Sequence, residues 1–408
     1  MSSTLERFLR YVRVDTQSKL DSEEQPSTRK QFDLAHMAVA ELQALGVNDA
    51  YVDEHCYVWA SLPSNQTKKL PVIGLIAHLD TSPEVSGANV QPRIVSDYDG
   101  GDIVLDAEEK IILSPMDYPD LLKYKGQSLV VTDGHTLLGA DDKAGVAEII
   151  SALAHLQMHP EFPHGVVRVC FTPDEEVSRG TECFDVEKFG ADFAYTLDGG
   201  EIGELNFENF NAARARIMIR GRSVHPGDAK GVMINAIEVA IELHNLLPSK
   251  ERPEYTEGYE GFYMIAPFEG SVDEARLSYI IRDHDSAIFE RRKQTMTAAV
   301  ASLNQKYGQG TITMLLEDQY YNMRRELEKV FHVVELAKRA MQEAGIQPHI
   351  VPIRGGTDGA RLTYMGLPTP NIFAGGHNFH GRYEYIPVES MDKAVEVILN
   401  VLRLATQE

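Results

Sequence analysis

The sequence predicts an α/β protein, a largely parallel sheet covered by helices on both faces, with a ferredoxin-like domain inserted into it. Three observations predict this. Short continuous apolar runs at 72–77, 166–171 and 191–197 suit strands buried on both faces. Helical segments such as 143–158 alternate with them, and that alternation builds a sheet with helices on either side. Near Phe210 the order becomes strand, helix, strand, strand, helix, strand, the β-α-β-β-α-β arrangement of ferredoxin-like domains.

At the N-terminus Leu5, Phe8, Leu9 and Val12 have helical spacing, but Glu6, Arg7 and Arg10 interrupt any apolar signal-peptide core. Residues 26–45 place Phe32, Ala35, Val39 and Leu42 on one helical face, and Gly46 is the expected stop. The stretch 82–125, rich in Pro, Gly and Asp, is long enough to be functional or to hold a small subsidiary sheet. Beyond Phe210 come a strand at 213–220, a helix at 232–247, strands at 261–267 and 276–282, a helix at 287–307 and a strand at 311–316. The expected division is therefore 1–208 for the first part of the α/β domain, 209–318 for the insertion, and 319–408 for the second part.

Size and charge narrow the function. A chain of 408 residues exceeds a typical single core, which agrees with two domains. With 39 basic against 61 acidic residues the net charge is -22, which argues against nucleic acid or anionic membrane as a partner. Bound cations would neutralise part of that charge locally. The 3 cysteines show no paired spacing, so no disulfide framework is expected, and Cys170 within an apolar run is expected to be a buried thiol. No apolar stretch approaches a membrane span. The chain reads as cytoplasmic.

Five clusters of acids and histidines fall beside the predicted strand ends: His78-Leu79-Asp80, Asp141-Asp142-Lys143, Asp174-Glu175-Glu176, Asp198 before Gly199-Gly200, and His377-Asn378-Phe379-His380. Ligands of open α/β sheets bind beyond the carboxyl ends of the strands. Oxygen and imidazole donors converging there suit a borderline divalent cation such as zinc, and two such ions can share an activated water. That predicts a hydrolase. Each cluster alone has an ordinary reading. His-x-Asp pairs arise by chance, Asp141 or Asp142 suits a helix N-cap, acidic triplets are usually solvated, Asp198 suits a turn, and either His377 or His380 could lie on the surface. Their conjunction outweighs those readings. In extended backbone His78 and Asp80 point the same way, so Asp80 can fix the tautomer of His78. Adjacent glutamates suit a division between binding metal and moving protons.

The runs Ile76-Ala-His78-Leu-Asp80, Gly139-Ala-Asp141-Asp142-Lys143, Thr172-Pro-Asp-Glu-Glu176 and Gly221-Arg-Ser-Val-His225-Pro226 resemble the M20 family of zinc exopeptidases, and within it the tripeptide aminopeptidases. The resemblance implies a zinc-exopeptidase-like α/β/α catalytic domain with an inserted lid and dimerisation domain, and a homodimer formed through the latter. It implies two Zn2+ per subunit, with Co2+ or Mn2+ as substitutes. His78 and Asp198 would hold one ion, Glu176 and His380 the other, and Asp141 would bridge them. Glu175 would be the general base, Asp80 the partner that orients His78, and His225 the stabiliser of the oxyanion. Arg282 and Arg354 match positions that grip a substrate carboxylate, a task suited to the bidentate guanidinium. The implied reaction releases the N-terminal residue of a tripeptide by Glu-assisted attack of a zinc-bound water. Two alternatives stand beside it. One is another M20-type amide hydrolase (dipeptidase, carboxypeptidase or N-acyl amino acid deacylase). The other is a non-catalytic metal-binding protein on the same fold, which should lack a ligand or the base; this sequence lacks neither.

Overall fold

The computed structural model describes residues 3–407. Its chain divides into two compact units. The first comprises Met1–Phe207, Arg325–Val351 and Thr357–Glu408, and the second Glu208–Arg324 with Pro352–Gly356.

The first unit is built on an eight-stranded sheet. Its centre is parallel: β1 (Ile73–His78) lies between β2 (Val167–Thr172) and β3 (Phe193–Gly199), and Asn371–Phe373 continues beyond β3. Antiparallel Val58–Leu62 and Tyr51–Val52 extend the β2 side, and Glu204–Asn206 and His349–Ile350 complete the other. All six residues of β1 are buried. An unbroken apolar strand is the composition that a central parallel position requires. Because the chain passes from β1 to β2 on one side and then to β3 on the other, β1 sits at a topological switch point, where a crevice opens at the strand ends.

Helix α1 (Ala140–Met158) packs against β1 and β3 on one side and against the helices Thr4–Tyr11 and Val388–Leu404 on the other. Covered all round, it carries no polar stripe, and its small and apolar residues Ala144, Val146, Ala147, Ile149, Ile150 and Leu153 are all buried. Its regular part begins at Lys143, as expected, and the turn before it is irregular, with Asp141 (φ -82, ψ 105) and Asp142 (φ -120, ψ 34) outside helical geometry. The segment after β1 forms a subsidiary three-stranded sheet of Arg93–Val95, Leu129–Val131 and Tyr385–Pro387, and a hairpin of Ile103–Asp106 with Ile111–Leu113. Tyr98, Leu113, Leu121, Tyr124, Val131 and Tyr385 give it a small core of its own. Cys170 is fully buried, and all three cysteines are free thiols.

The second unit runs β4 (Asn211–Arg220), α2 (Ala236–Leu246), β5 (Phe262–Gly270), β6 (Glu274–Asp283), α3 (Ser286–Tyr307) and β7 (Ile312–Tyr320). The sheet order is β5-β6-β4-β7, all antiparallel, which is the ferredoxin-like topology. One face of alternating residues, including Ala213, Ala215, Ile217, Leu277, Tyr279 and Ile281, meets Leu243 of α2 and Phe289 and Met296 of α3. The side chains of Asn235 and Asp285 cap the two helices. The unit extends past residue 318 and also takes in Pro352–Gly356, because Asn209 bridges to Ile353 and Arg354 is bound by the 256–260 loop. These are side-chain and backbone contacts without periodicity, so pattern reading has no access to them. Among the described residues no helix is long and apolar enough to cross a membrane.

Candidate metal centre

The site forms at the carboxyl ends of β1, β2 and β3. His78 is the last residue of β1 and is 2% exposed. Its Nδ1 faces Asp80, 3.0 Å from the backbone carbonyl oxygen and 3.4 Å from Oδ1. Its Nε2 points the other way, 2.8 Å from Asp141 Oδ1 and 3.5 Å from Asp198 Oδ1. Asp198 arrives near the end of β3. Asp80, fully buried, also accepts hydrogen bonds from the backbone N–H groups of Glu175 (3.0 Å) and Glu176 (3.2 Å). Asp80 thus sets the ring of His78 through its carbonyl and carboxylate oxygens, and its carboxylate holds the turn that follows β2.

The acidic triplet divides three ways. Asp174, in the left-handed region (φ 57), is buried and accepts from Ser27 N, Ser27 Oγ and Gln31 Nε2, tying the turn to the N-terminal segment. Glu176 Oε2 lies 2.9 Å from His380 Nε2, while its Oε1 is buried with no hydrogen-bond partner. Glu175 makes no ion pair with either histidine among the described residues. Burial, followed by the negative charges of Asp198 and Asp358, pushes its carboxyl well above the usual range.

Asp141 joins the two halves. Its Oδ1 meets His78 and its Oδ2 meets His380 Nε2 at 3.3 Å. Burial opposes ionisation of Asp141, but hydrogen bonds from His380 and His78 prevail and hold its carboxyl below the usual range. Asp142 is turned away: its oxygens accept from the backbone N–H groups of His78 (3.1 Å) and Gly145 (3.2 Å). Asp142 can still join His78 and Asp198 in a group whose ligand atoms lie within 4.8 Å, as can Asp141 with His78 and Glu176. We favour Asp141 as the shared ligand, because the Asp142 oxygens are already engaged by backbone donors.

His380 and His377 separate as clearly. His377 stacks on Tyr385, bonds Tyr124 Oη through Nε2 at 2.6 Å, and is driven down to about 4 by burial. His380, with φ 61, instead aims Nε2 at Asp141 and Glu176. Burial lowers its pKa and the hydrogen bonds it donates to Asp141 and Glu176 raise it, with a net rise to about 11. Among the acids, burial and then Asp141 push Glu176 up to about 8, and burial pushes Asp198 up to about 6 despite the hydrogen bond to His78. Two imidazoles and three carboxylates packed this closely, with one carboxylate oxygen orphaned, form a donor set that fits borderline divalent ions such as zinc.

The remaining expected residues lie in the second unit. His225 is exposed at the start of a single 3-10 turn, where its Nδ1 accepts from Gly227 N. Arg354 is committed to its own unit: Nη1 donates to Gly258 O (2.7 Å) and Glu260 O (3.0 Å), and Nη2 donates to Thr256 O (3.2 Å) and Oγ1 (3.0 Å). Its guanidinium also lies over the rings of Phe210 and Phe262. Arg282 is less engaged, with Nε buried and unpartnered, Nη1 at 3.4 Å from Arg354 O, and the guanidinium over Tyr320. Arg354→Ala should therefore cost roughly 2–4 kcal/mol of stability through lost charge-assisted hydrogen bonds and cation–π contact. Arg282→Ala, which loses one long hydrogen bond and one cation–π contact, should cost about 1 kcal/mol. Urea unfolding checks both, and equal stability losses would contradict the distinction.

Two further buried acids border the site. Asp358 accepts from Thr172 Oγ1 at 2.9 Å, and burial lifts it to about 7. It belongs to the run Arg354-Gly-Gly-Thr-Asp358-Gly, whose likeness to carboxylate-gripping positions gives the aspartate no role of its own. Glu384 follows His380 by four positions and has no local partner pattern to betray it.

The chain is 59% identical over 406 residues to peptidase T of Alkaliphilus oremlandii, covering 99% of both chains. It is 58% identical over 404 residues to peptidase T of Geobacillus kaustophilus, covering 99% of this chain and 98% of that one. The chain belongs to the peptidase T family. A peptidase dimerisation domain of the M20 type matches residues 207–311, which places the inserted ferredoxin-like unit of this peptidase T member within a recognised class. The fold agrees with the crystal structure of the aminopeptidase PepT from Bacillus cereus, with a TM-score of 0.77 at 24% identity over 99% of this chain and 98% of that one. An enzyme of the M20 peptidases, a hydrolase, is the reading that these relationships share with the site.

Proposed function

We propose that the protein is a dimetal aminopeptidase that releases the N-terminal residue of tripeptides. The observation that carries this reading is the split of one carboxylate between two histidines, Asp141 Oδ1 towards His78 and Oδ2 towards His380. A pair of Zn2+ ions would be held by His78 and Asp198 on one side, by Glu176 and His380 on the other, and by Asp141 between them, with Co2+ or Mn2+ as substitutes. Such ions, when bound, polarise a carbonyl and make water nucleophilic near neutral pH.

The chain's own residues supply the rest. Glu175 takes the proton of the attacking water and returns it to the leaving amine. Asp80 holds the tautomer of His78 through Nδ1 and fixes the backbone N–H of Glu175, so ligand and base share one anchor. His225 is assigned to the developing oxyanion by the likeness of its motif, and Arg282 to the substrate carboxylate. The match of residues 207–311 to a dimerisation domain supports a homodimer formed through the second unit. The net charge of -22 argues against nucleic acid and anionic membranes as partners and agrees with a cytoplasmic enzyme acting on short peptides.

Elemental analysis together with a peptide panel tests the reading. The expected result is two divalent ions per chain and cleavage of tripeptides only when the N-terminus is free. Cleavage of N-acetyl tripeptides, or of dipeptides in preference, would move the assignment to a deacylase, carboxypeptidase or dipeptidase. Two bound ions with no turnover of any peptide would leave a metal-binding protein.

A further inference from the structure

The irregular turn that leads into helix α1 needs more help than an N-cap gives. The first N–H groups of a helix have no intrahelical acceptor and normally take one from an N-cap side chain. Here Asp142 Oδ1 takes the N–H of Gly145 in the first regular turn (3.2 Å), but Gly139 (φ 82) has no side chain to offer, and the N–H groups of 138–141 ahead of that turn need another acceptor. The acceptor comes from far along the chain. Glu384, 1% exposed, accepts through Oε2 from Leu138 N (2.7 Å) and Gly139 N (2.8 Å). Through Oε1 it accepts from Ala140 N (2.7 Å) and Asp141 N (3.2 Å). Four consecutive backbone donors therefore converge on one carboxylate, and the last belongs to the residue that faces both histidines.

Glu384 is equally fixed on its own side. His377 and Tyr385 exchange backbone hydrogen bonds (2.9 and 3.1 Å), Asn378 Nδ2 donates to Tyr383 O, and Glu384 N donates to Gly381 O. These bonds close residues 377–385 into a loop that presents His380. The carboxylate is thus the direct link between the backbone that carries Asp141 and the loop that carries His380. Both of those ligands must be held within about 0.5 Å to bind one and the same ion.

We infer that Glu384 is a positioning residue of the metal centre, which sets the distance between Asp141 and His380 and so the retention of metal. The inference rests on the reading of Asp141 as the shared ligand. Glu384→Gln keeps the shape, but its amide NH2 would face backbone donors, so only one of its two ends can still accept. Residues that orient metal ligands typically govern affinity by about 10- to 100-fold.

The test is a chelator competition on the metal-loaded full chain, with bound metal measured by elemental analysis and folding followed by far-UV circular dichroism. Glu384→Gln is expected to release metal at a chelator concentration about 10- to 100-fold lower than the unmodified protein, with excess zinc restoring its kcat. A residue that merely supported the fold would lower the melting temperature and leave the half-release point unchanged. An unchanged half-release point overturns the inference. If Glu384→Gln does not fold, Glu384→Asp decides the matter: it keeps the charge, withdraws it by one methylene, and should release metal early as well. Unmodified protein that binds no metal would sink the metal reading itself, whereas two ions held equally tightly in both proteins would sink only the role of Glu384.

Discussion

Glu175→Ala and Glu175→Gln are expected to keep their metal and lose turnover, with kcat lower by about 10²- to 10⁴-fold, the range for removal of a positioned general base. The geometry separates Glu175 from the ligands: the histidine rings meet Asp141, Asp198 and Glu176, and none meets Glu175. Its backbone N–H is nonetheless fixed by Asp80, so the side chain starts from a defined position beside the cluster. The upward push on its carboxyl, from burial and then from Asp198 and Asp358, favours keeping a proton once taken, and bound cations would act against that push. Glutamine preserves volume and cannot take the proton, so it isolates the chemical step. Full metal content with kcat within threefold of the unmodified enzyme would show that another group is the base.

Stripping the metal should abolish hydrolysis and also destabilise the first unit. A ligand present at about 1,000 times its Kd adds about 4 kcal/mol to stability, and the chelated protein loses that amount. Its pH dependence should change as well. Once chelated, Glu176 (about 8) and Asp198 (about 6) hold protons in the folded chain that they release nearer pH 4 to 4.5 when unfolded. His380, raised to about 11, likewise holds a proton that the unfolded chain gives up near pH 6.5. In each case the folded state binds more protons, so stability falls as pH rises from about 5 to 8. Asp141, held low, works in the opposite sense, but only below the ordinary carboxylate range. The metal-loaded protein should show the reverse slope, because the ligands must be deprotonated to bind. Thermal unfolding of both forms at pH 5 and pH 8 measures this. Parallel slopes, or a chelated enzyme with undiminished activity, would refute the account.

The fold was legible where burial is uniform. The runs at 72–77, 166–171 and 191–197 lie within one or two residues of β1, β2 and β3, because a strand covered on both faces must be apolar throughout. The ferredoxin-like order was legible for a related reason, since its sheet alternates buried and exposed residues over helices with caps of their own. The subsidiary sheet after β1 was less so. Its strands are three residues long and one of its partners, Tyr385–Pro387, lies more than 250 positions away, beyond any local pattern.

By itself, the sequence determined which chemistry the protein can carry: acids and histidines at the ends of buried strands, in runs that mark the family. A residue's type and its place after a strand are local properties, and local properties survive in a string of letters. Only the tertiary structure decided between neighbours that share a type. Asp141 differs from Asp142, His380 from His377, and Glu176 from Asp174 in what each touches, and those contacts depend on backbone angles and on segments far along the chain. Arg354 shows the same division, since only folding brings it to the 256–260 carbonyls that occupy it. Glu384 is the extreme case, a carboxylate whose donors lie about 245 positions before it, bonded to backbone groups that every sequence possesses. Hydrogen bonds to the main chain leave no mark on the identity of the donor, and so only the fold reveals them.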